Sequence, residues 1–329
     1  MAEITMVQAV NLALARAMAE DPRVLVLGED VGANGGVFRT TEGLYARFGA
    51  DRVMDTPLSE LVIAGLSVGL AAQGFRPVAE IQFMGFIYAT IDQMVNHAAR
   101  LRTRTRGRLT CPMVLRTPFG GGVHAPEHHS ESTEALFTNV PGLRVVVPSS
   151  PARAYGLLLA AIRDPDPVVF LEPTRLYRAF KQEVSDHGMA LPLDRCAVLR
   201  EGTDITVVTW GAMTLDVMAA AATLAAEGVN AEVIDVATLR PLDSETILAS
   251  LEKTGRCVIV HEAPLTGGFG GELAAVIASG DAFDRLDAPI KRLAGRDIPI
   301  PYNRTLERAA VPQVEDIVAA ARELATEGR

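Results

Sequence analysis

The chain is poor in cysteine, in aromatic residues and in positive charge, and each shortage excludes a class of protein. Its 3 cysteines, Cys111, Cys196 and Cys257, are too scattered for a disulfide framework and fit reduced thiols. A net charge of -9 argues against general affinity for nucleic acid. No basic segment leads into a hydrophobic stretch at the start, and no apolar run approaches the roughly 18 residues of a membrane span. We therefore expect a cytoplasmic protein, or an organelle-matrix protein whose transit peptide was removed, with no nucleic-acid or membrane partner.

Apolar residues make up 49% of the 329 positions but only 5% are aromatic, which suits a large α/β core. Up to about Ala179, helical patterns alternate with short apolar runs such as Val24–Leu27, which is typical of a parallel sheet. Beyond a polar connector the alternation resumes with Ile205–Trp210, and right-handed crossovers make a second parallel sheet the expectation. The prediction is two mainly parallel α/β domains, residues 1–180 and 199–329, with a connector at 181–198.

One carboxylate lies at the start of a predicted helix in the segment Asp55-Thr-Pro-Leu-Ser-Glu60. Thr56 and Pro57 match an N-cap followed by proline at the first helical position, so Glu60 is expected in the first turn. The following run, Leu61–Ala72, is apolar on nearly every side, as in a buried helix. An acid there can simply complement the helix dipole, worth about 0.3–1 kcal/mol. The other interpretation is a ligand-binding carboxylate where a surface meets the core.

A glycine-rich stretch with three histidines, His124, His128 and His129, forms the second candidate, within Gly120–Ser130. Glycines allow the backbone to approach a ligand closely. The neighbouring acids could suggest a metal site, but the loop has neither an H-E-x-x-H helix nor paired cysteines. His124 and His128 are equally compatible with ordinary loop positions. The Glu60 segment and this loop look like parts of one active site.

Several motifs occur at compatible spacings along the whole chain. They are Gly28–Val31, Asp55–Glu60, Glu80–Phe83, His129–Ser130, Thr238–Asp243 and His261–Gly268. In this order they resemble the β subunit of the E1 component of 2-oxo acid dehydrogenase complexes, which are thiamine-diphosphate enzymes of the transketolase superfamily. The resemblance runs from about Ile4 to the final helix and implies a pyrimidine-binding domain followed by a transketolase C-terminal-like domain.

The resemblance implies roles for individual side chains. Glu60 matches the carboxyl group that hydrogen-bonds the coenzyme's aminopyrimidine, a task that a raised carboxyl pKa in a desolvated site would favour. Glu29, Leu58 and Phe86 would also contact the coenzyme, although aromatic side chains are more often core residues. His129 matches the histidine that assists acyl transfer to a lipoyl sulfur, a step suited to a pKa of roughly 6.5.

A Gly-Asp-Gly motif, which holds the diphosphate through a divalent metal in such enzymes, is missing from the chain. The resemblance therefore implies half a site, with the diphosphate and Mg²⁺ held by a separate α subunit in an α2β2 heterotetramer. It also implies docking of the E2 acyltransferase, through its subunit-binding and lipoyl domains, near the C-terminal region. Asp164 and Asp166 fall where relatives hold a structural potassium ion, although turn formation explains their Asp-Pro pattern equally well.

The expected function is oxidative decarboxylation of a 2-oxo acid, with transfer of the acyl group to the lipoyl group of E2. Phe83–Tyr88 resembles pyruvate-type subunits, whereas His261–Gly268 resembles branched-chain ones, and acetoin dehydrogenase is the alternative. Two other hypotheses are open. Gly65-x-Ser67-x-Gly69 matches a nucleophile elbow, with Asp235 and His261 following in the order of a serine α/β-hydrolase triad. The chain could also be a catalytically silent structural subunit.

Overall fold

The structure is a computed structural model that describes residues 2–326. The chain forms two compact units: one comprises the chain up to Phe119 with Leu136–Leu193, the other Gly120–Ala135 with the chain from Asp194 onward. The stretch that carries the three histidines thus clusters with the second unit. Both units are α/β, which confirms the predicted fold class. Between residues 2 and 326 no helix combines the length and apolarity needed to cross a membrane.

The first unit is built on a parallel sheet. Its strands are β1 Ala2–Ile4, β2 Val24–Gly28, β3 Val53–Asp55, β4 Arg76–Glu80, β5 Val114–Phe119, β6 Arg144–Val146, β7 Val168–Pro173 and β8 Gln182–Val184. The helices are α1 Met6–Glu20, α2 Leu44–Phe48, α3 Glu60–Ala72, α4 Leu101–Arg104, α5 Ala135–Thr138 and α6 Pro151–Arg163. Strands β6-β7-β5-β4-β2-β3 pair in that order, all parallel, while β1 and β8 pair antiparallel.

Local sequence explains several of these elements. Thr5 caps α1 in a reciprocal capping box with Gln8, and Ser150 caps α6 ahead of Pro151 at the first helical position. Helices α1 and α6 pack together. Strands β2, β5 and β7 are buried at every position, as expected for a parallel sheet covered on both faces.

Helix α3 differs from its prediction in two ways. It begins at Glu60, three residues after Pro57, because the Thr56 N–H donates to the Gly28 carbonyl at 3.0 Å and keeps the chain extended. Ser59, with φ of -165°, is the N-cap residue, and Glu60 does lie in the first turn. The helix is also only half buried: Ile63, Ala64, Ser67 and Ala71 face the core, whereas Leu61, Val62 and Leu66 are 47, 51 and 44% exposed.

The second unit contains the other predicted sheet. The strands in this part of the chain are β9 Ala197–Arg200, β10 Ile205–Thr209, β11 Ala231–Asp235, β12 Thr238–Arg240, β13 Cys257–Pro264 and β14 Lys291–Gly295. Its helices are α7 Met213–Ala226, α8 Ser244–Thr254, α9 Gly270–Ser279, α10 Arg304–Ala310 and α11 Val314–Thr326. The order β14-β13-β10-β11-β9 is parallel except for β9, so the expected mainly parallel sheet is confirmed.

Candidate active site

Three sequence motifs begin at one edge of the first sheet. Gly28, Asp55 and Glu80 are the last residues of β2, β3 and β4, and Gly28 pairs in register with both of the others. The Asp55 carboxylate accepts a hydrogen bond from the Gly32 N–H at 2.6 Å, and a Cβ on Gly32 would lie 2.5 Å from that carboxylate. Asp55 therefore fixes the loop after β2 against the segment that leads into α3. Ligands of open parallel sheets bind beyond such carboxyl ends.

The Glu29 and Glu60 carboxyl groups are neighbours at this edge. Glu29 is only 8% exposed, and its Oε1 atom is buried without a hydrogen-bond partner. Burial, reinforced by the charges of Glu60 and Asp30, raises the pKa of the Glu29 carboxyl, although a hydrogen bond from the Ser59 N–H opposes this. The Glu29 carboxyl can therefore hold a proton at higher pH than an isolated carboxyl group would, and its Oε1 atom lacks the donor that a ligand could provide.

Exposed apolar side chains occur in the same segment as Glu60. Leu58 is 83% exposed, and the exposed face of α3 adds Leu61 and Val62 next to Glu60. The 3₁₀ segment Met84–Thr90 packs against α3 and carries Phe86, which is half buried and lies edge-on to Phe83 with ring centroids 5.8 Å apart. The structure thus brings the elements that carry Glu29, Leu58, Glu60 and Phe86 together in the first unit.

The histidine loop adopts left-handed backbone conformations at three nearby positions, Gly120, Gly122 and His124, with φ of 75, 102 and 57°. A hydrogen bond from the Gly120 N–H to the Glu131 carbonyl, at 3.0 Å, closes the loop. The turn Glu127–His129 follows, and the His129 Nδ1 atom lies 3.3 Å from the Pro126 carbonyl oxygen. Because a carbonyl only accepts, Nδ1 carries the proton, and Nε2 is the basic nitrogen of the neutral ring.

The other two histidines of the loop have different surroundings. His124 Nδ1 donates to Glu307 Oε2 at 2.6 Å, and the Gly122 N–H donates to Glu307 Oε1 at 2.6 Å. His128 lies 3.7 Å from the Glu127 carboxylate, and its ring centroid is 4.1 Å from that of His129. Sequence reasoning missed Glu307, which is 183 positions from His124 and belongs to no recognisable motif. Residues 2–326 contain no group of three or more His, Cys, Asp or Glu side chains arranged to hold a metal ion.

The hydrolase hypothesis is wrong, because Ser67 does not lie on a strand-to-helix turn. It is in the middle of α3, its side chain is fully buried, and its hydroxyl donates to the Ile63 carbonyl at 2.8 Å. A Cβ on Gly65 would lie 3.3 Å from the Gln93 Oε1 atom, so this glycine allows close packing. The Gly-x-Ser-x-Gly pattern here serves helix packing, since an elbow would need an exposed hydroxyl on a sharp turn.

Guanidinium groups surround the Asp-Pro-Asp turn. Asp164 and Asp166 pair with Arg144 at 2.9 Å and Arg102 at 2.7 Å, and the Asp166 N–H donates to the Asp164 carboxylate. Arg76 donates to the carbonyl oxygens of Ile162 and Asp164 at 2.8 and 3.1 Å. A potassium ion would compete with Arg76 for these oxygens. The potassium site stays a prediction.

A fully buried ion cluster lies beneath the acidic edge. Arg116 binds both carboxylate oxygens of Glu172, at 2.7 and 2.8 Å, and also pairs with Glu80, the last residue of β4. Thr40 and Tyr177 donate to Glu80 and Glu172, at 2.9 and 2.7 Å. Burial alone would lower the pKa of Arg116, but the two carboxylates outweigh it and raise the pKa above its ordinary value. The cluster holds the Glu80 end of the sheet rigidly.

The second unit contains a buried carboxyl group that no cation compensates in this way. The Trp210 Nε1–H donates to Glu134 Oε1 at 3.1 Å, and burial raises the pKa of Glu134 to about 7. The Trp210 ring stacks on His261 at 5.1 Å, and burial together with the charge of Arg292 lowers the pKa of His261 to about 4. Glu134 follows the histidine loop directly, so this contact secures the loop's far end.

Two protein-family models match the chain. One describes the transketolase pyrimidine-binding domain and matches residues 2–179. The other describes the transketolase C-terminal domain and matches residues 194–317. Among solved structures, a split-gene transketolase described as an inactive beta4 tetramer has a TM-score of 0.80 over all of both chains. Its sequence is 24% identical, so it supports the fold alone.

Relatives of known name are similar over nearly their whole length. The pyruvate dehydrogenase E1 component subunit beta of Bacillus subtilis (strain 168) is 48% identical, covering 98% of this chain and 99% of that protein. The corresponding subunit of Acholeplasma laidlawii is 50% identical, covering 99% of both. The 2-oxoisovalerate dehydrogenase subunit beta of Bacillus subtilis (strain 168) is 48% identical, again covering 99% of both.

Proposed function

Since the chain belongs to the family of E1 β subunits of 2-oxo acid dehydrogenases, with transketolase pyrimidine-binding and C-terminal domains, we propose that it supplies half of a thiamine-diphosphate site. With an α subunit it would oxidatively decarboxylate a 2-oxo acid and pass the acyl group to the lipoyl group of E2. The observation that carries this proposal is the acidic pair Glu29 and Glu60, which lies beside exposed apolar side chains at the edge of a parallel sheet.

The residues at this edge fit the pyrimidine end of the coenzyme. When bound, thiamine diphosphate supplies a nucleophilic carbon and an electron sink for decarboxylation. Glu60 would hold the proton that is shared with a ring nitrogen of the aminopyrimidine. Glu29, with its raised pKa and an unpartnered buried oxygen, would keep a second proton close to that position. Leu58 and Phe86 would contact the ring and exclude water.

The partner is an α subunit, which would complete the site. Near Glu60 in the sequence, four large apolar side chains are exposed, namely Leu58, Leu61, Val62 and Leu66. Apolar surface of this kind marks an interface, because water is an unfavourable neighbour for it. The chain has no Gly-Asp-Gly motif, so the diphosphate and Mg²⁺ would be held by α, in an α2β2 heterotetramer.

His129 would serve the second half of the reaction. Its Nε2 atom is the basic nitrogen of the neutral ring, because Nδ1 donates to Pro126. This nitrogen is the atom that would exchange a proton with the lipoyl sulfur. E2 would dock near the C-terminal part of the chain and present its lipoyl domain to this histidine.

The substrate class is the 2-oxo acids. The pyruvate and 2-oxoisovalerate dehydrogenase subunits of Bacillus subtilis (strain 168) are both 48% identical to this chain, and both names favour a 2-oxo acid over acetoin. A hydrophobic pocket distinguishes substrates that differ by one methylene by only about 1–3 kcal/mol. Pyruvate and branched-chain 2-oxo acids are therefore the two candidates to compare.

The test is co-expression with candidate α subunits from the same genome. Decarboxylation of pyruvate and of 3-methyl-2-oxobutanoate would be measured with an artificial electron acceptor, with and without thiamine diphosphate and Mg²⁺, for the pair and for each chain alone. Activity in the pair only, dependent on both additions, is the expected result. A properly assembled pair that binds no thiamine diphosphate would contradict the proposal.

A further inference from the structure

Glu307 on helix α10 contacts the histidine loop with both of its carboxylate oxygens, and nothing in the reaction described above uses this residue. We propose that Glu307 is a positioning residue for His129, acting through Gly122 and His124 to hold the loop Gly120–Ser130 in its left-handed turn. The inference rests on the function proposed for His129. Glu307 itself would touch neither the substrate nor the coenzyme.

Glu307 holds the loop by two hydrogen bonds, one from the Gly122 N–H and one from His124, which together form a clamp. Glu307 is only 7% exposed, its Oε1 accepts from the Gly122 N–H, and its Oε2 accepts from His124, both at 2.6 Å. Charge-assisted hydrogen bonds of this length are about twice as strong as neutral ones. A Cβ on Gly121 would lie 2.5 Å from Oε1, so only glycine allows the carboxylate to come this close.

The helix that carries Glu307, α10, is held at its start by a side-chain cap. The Asn303 side chain caps α10 by accepting from the backbone N–H groups of Thr305 and Leu306, at 3.0 and 3.3 Å. The Glu307 N–H donates to the Asn303 carbonyl at 2.8 Å. Such a cap holds the first turn in place, and Glu307 lies in that turn. The position of the carboxylate therefore follows from the helix.

The loop needs support because of its backbone conformation. His124 has φ of 57°, and a side chain with a Cβ disfavours this region by roughly five- to thirtyfold in population. Such conformations persist where the surroundings over-determine them, and they cluster at functional sites. Glu307 binds the residue in this conformation and also Gly122, whose φ is 102°. The clamp thus offsets the cost of the turn.

The turn determines where His129 lies. His129 is five positions beyond His124, and its N–H donates to the Pro126 carbonyl at 2.9 Å, while the Ser130 N–H donates to the Glu127 carbonyl at 2.9 Å. These bonds make residues 126–130 a compact turn that moves as one piece. A change of backbone conformation at His124 would therefore rotate the His129 imidazole away from its position.

The first experiment compares His124→Gly with His124→Ala in the assembled α2β2 enzyme. Both variants remove the imidazole, but only glycine adopts positive φ without cost. We expect lipoyl acylation to be about tenfold slower in His124→Ala than in His124→Gly. Decarboxylation with an artificial acceptor should stay close to the wild-type rate in both. Equal acylation rates in the two variants would overturn the proposal.

The second experiment measures the rate of amide hydrogen exchange in the peptide that spans residues 120–130, which reports how firmly the loop is held. Glu307→Ala removes both acceptors, whereas Glu307→Gln keeps an oxygen for the Gly122 N–H. Exchange should be fastest in Glu307→Ala, intermediate in Glu307→Gln and unchanged in Glu252→Gln, which alters an exposed helical acid of the same unit. Unchanged exchange in Glu307→Ala would refute the clamp.

These outcomes separate the clamp from the proposed function. If the wild-type pair decarboxylates no 2-oxo acid, the proposed function fails, while hydrogen exchange still decides whether Glu307 holds the loop. Faster exchange with unchanged lipoyl acylation would show a clamp without a positioning role and would overturn the inference. If Glu307→Ala does not fold, Glu307→Gln, which keeps an acceptor for the Gly122 N–H, replaces it in both assays, and unchanged loop exchange with unchanged lipoyl acylation in that variant would overturn the inference.

Discussion

The two candidate catalytic side chains are held by different kinds of structure. Glu60 begins a 13-residue helix next to three strand ends, and the motif that surrounds it is continuous in sequence. His129 lies on a loop whose anchors, Glu307 and Trp210, come from distant parts of the chain. A side chain at the end of a regular element is positioned by local chemistry. A side chain on a loop depends on whatever long-range contact holds the loop.

The buried carboxyl groups that support the two regions differ in the same way. In the first unit, Arg116 compensates Glu80 and Glu172, so the cluster is rigid and its charges are paired. In the second unit, Glu134 accepts from the Trp210 indole N–H and from a backbone N–H, neither of which is charged, and burial raises its pKa to about 7. Burial raises the pKa of both Glu172 and Glu134, but only at Glu172 does a guanidinium, that of Arg116, oppose the rise.

Glu60→Gln should have the largest effect. An amide cannot hold the shared proton, and loss of a general acid or base costs about 10²- to 10⁴-fold in rate. We expect decarboxylation in the assembled enzyme to fall by this factor, while hydrogen exchange of the His129 loop stays as in the wild type. Steady-state decarboxylation with an artificial acceptor measures it. A rate near that of the wild type would mean that Glu60 is not the proton-holding group, and would revive the silent-subunit hypothesis.

Arg116→Met should be the most damaging change to stability. It leaves two buried carboxylates without their cation, which costs about 3–5 kcal/mol of unfolding free energy. Urea denaturation of the chain would measure the loss. Arg322→Met is the matched control, since its pair with Glu227 is largely exposed and contributes about 1 kcal/mol at most. Similar losses in the two variants would remove the distinction between a buried cluster and a surface pair.

Glu134→Gln tests the buried carboxyl group that has no cationic partner, through the pH dependence of the unfolding free energy. The folded-state pKa, about 7, is above the ordinary value of 4.5, so the native state holds the proton more tightly. The stability that this provides is fully present below pH 4.5 and is lost as pH rises through 7, in total about 3 kcal/mol. Relative to Glu134→Gln, the wild type should therefore be more stable at pH 5 than at pH 8. The low pKa of His261 acts in the opposite direction, but it is present in both proteins and cancels from this difference.

Urea midpoints of both proteins at pH 5 and pH 8 provide the measurement. If the difference in stability between the wild type and Glu134→Gln did not change with pH, Glu134 would titrate as an ordinary carboxyl group does. The contrast between the buried carboxyl groups of the two units would then be wrong.

Ser67→Ala should have the smallest effect. The hydroxyl bonds only to the Ile63 carbonyl within the helix, so its loss costs about 1 kcal/mol or less. Decarboxylation should be unchanged, in contrast to Glu60→Gln two turns earlier on the same helix. Thermal unfolding and the decarboxylation assay measure both expectations. A large loss of activity at Ser67 would show that the buried face of α3 takes part in the chemistry.

Much of the fold could be predicted because it follows short-range rules. The apolar run at 24–27 became β2, since buried parallel strands are apolar at nearly every position. Glu60 was expected in the first turn of a helix and lies there. The start of α3 was predicted three residues early, because the sequence does not reveal that Thr56 bonds to Gly28 across the sheet.

By itself the sequence determined the α/β class, the family, the acidic residue at the start of α3 and the absence of a Gly-Asp-Gly motif. These depend on residue type and spacing along the chain. Only the tertiary structure decided that one face of α3 is exposed, that Glu29 and Glu60 are neighbours, and that Glu307 accepts a hydrogen bond from His124. Exposure and the pairing of charges are properties of residues that folding brings together from distant positions, so no local pattern contains them.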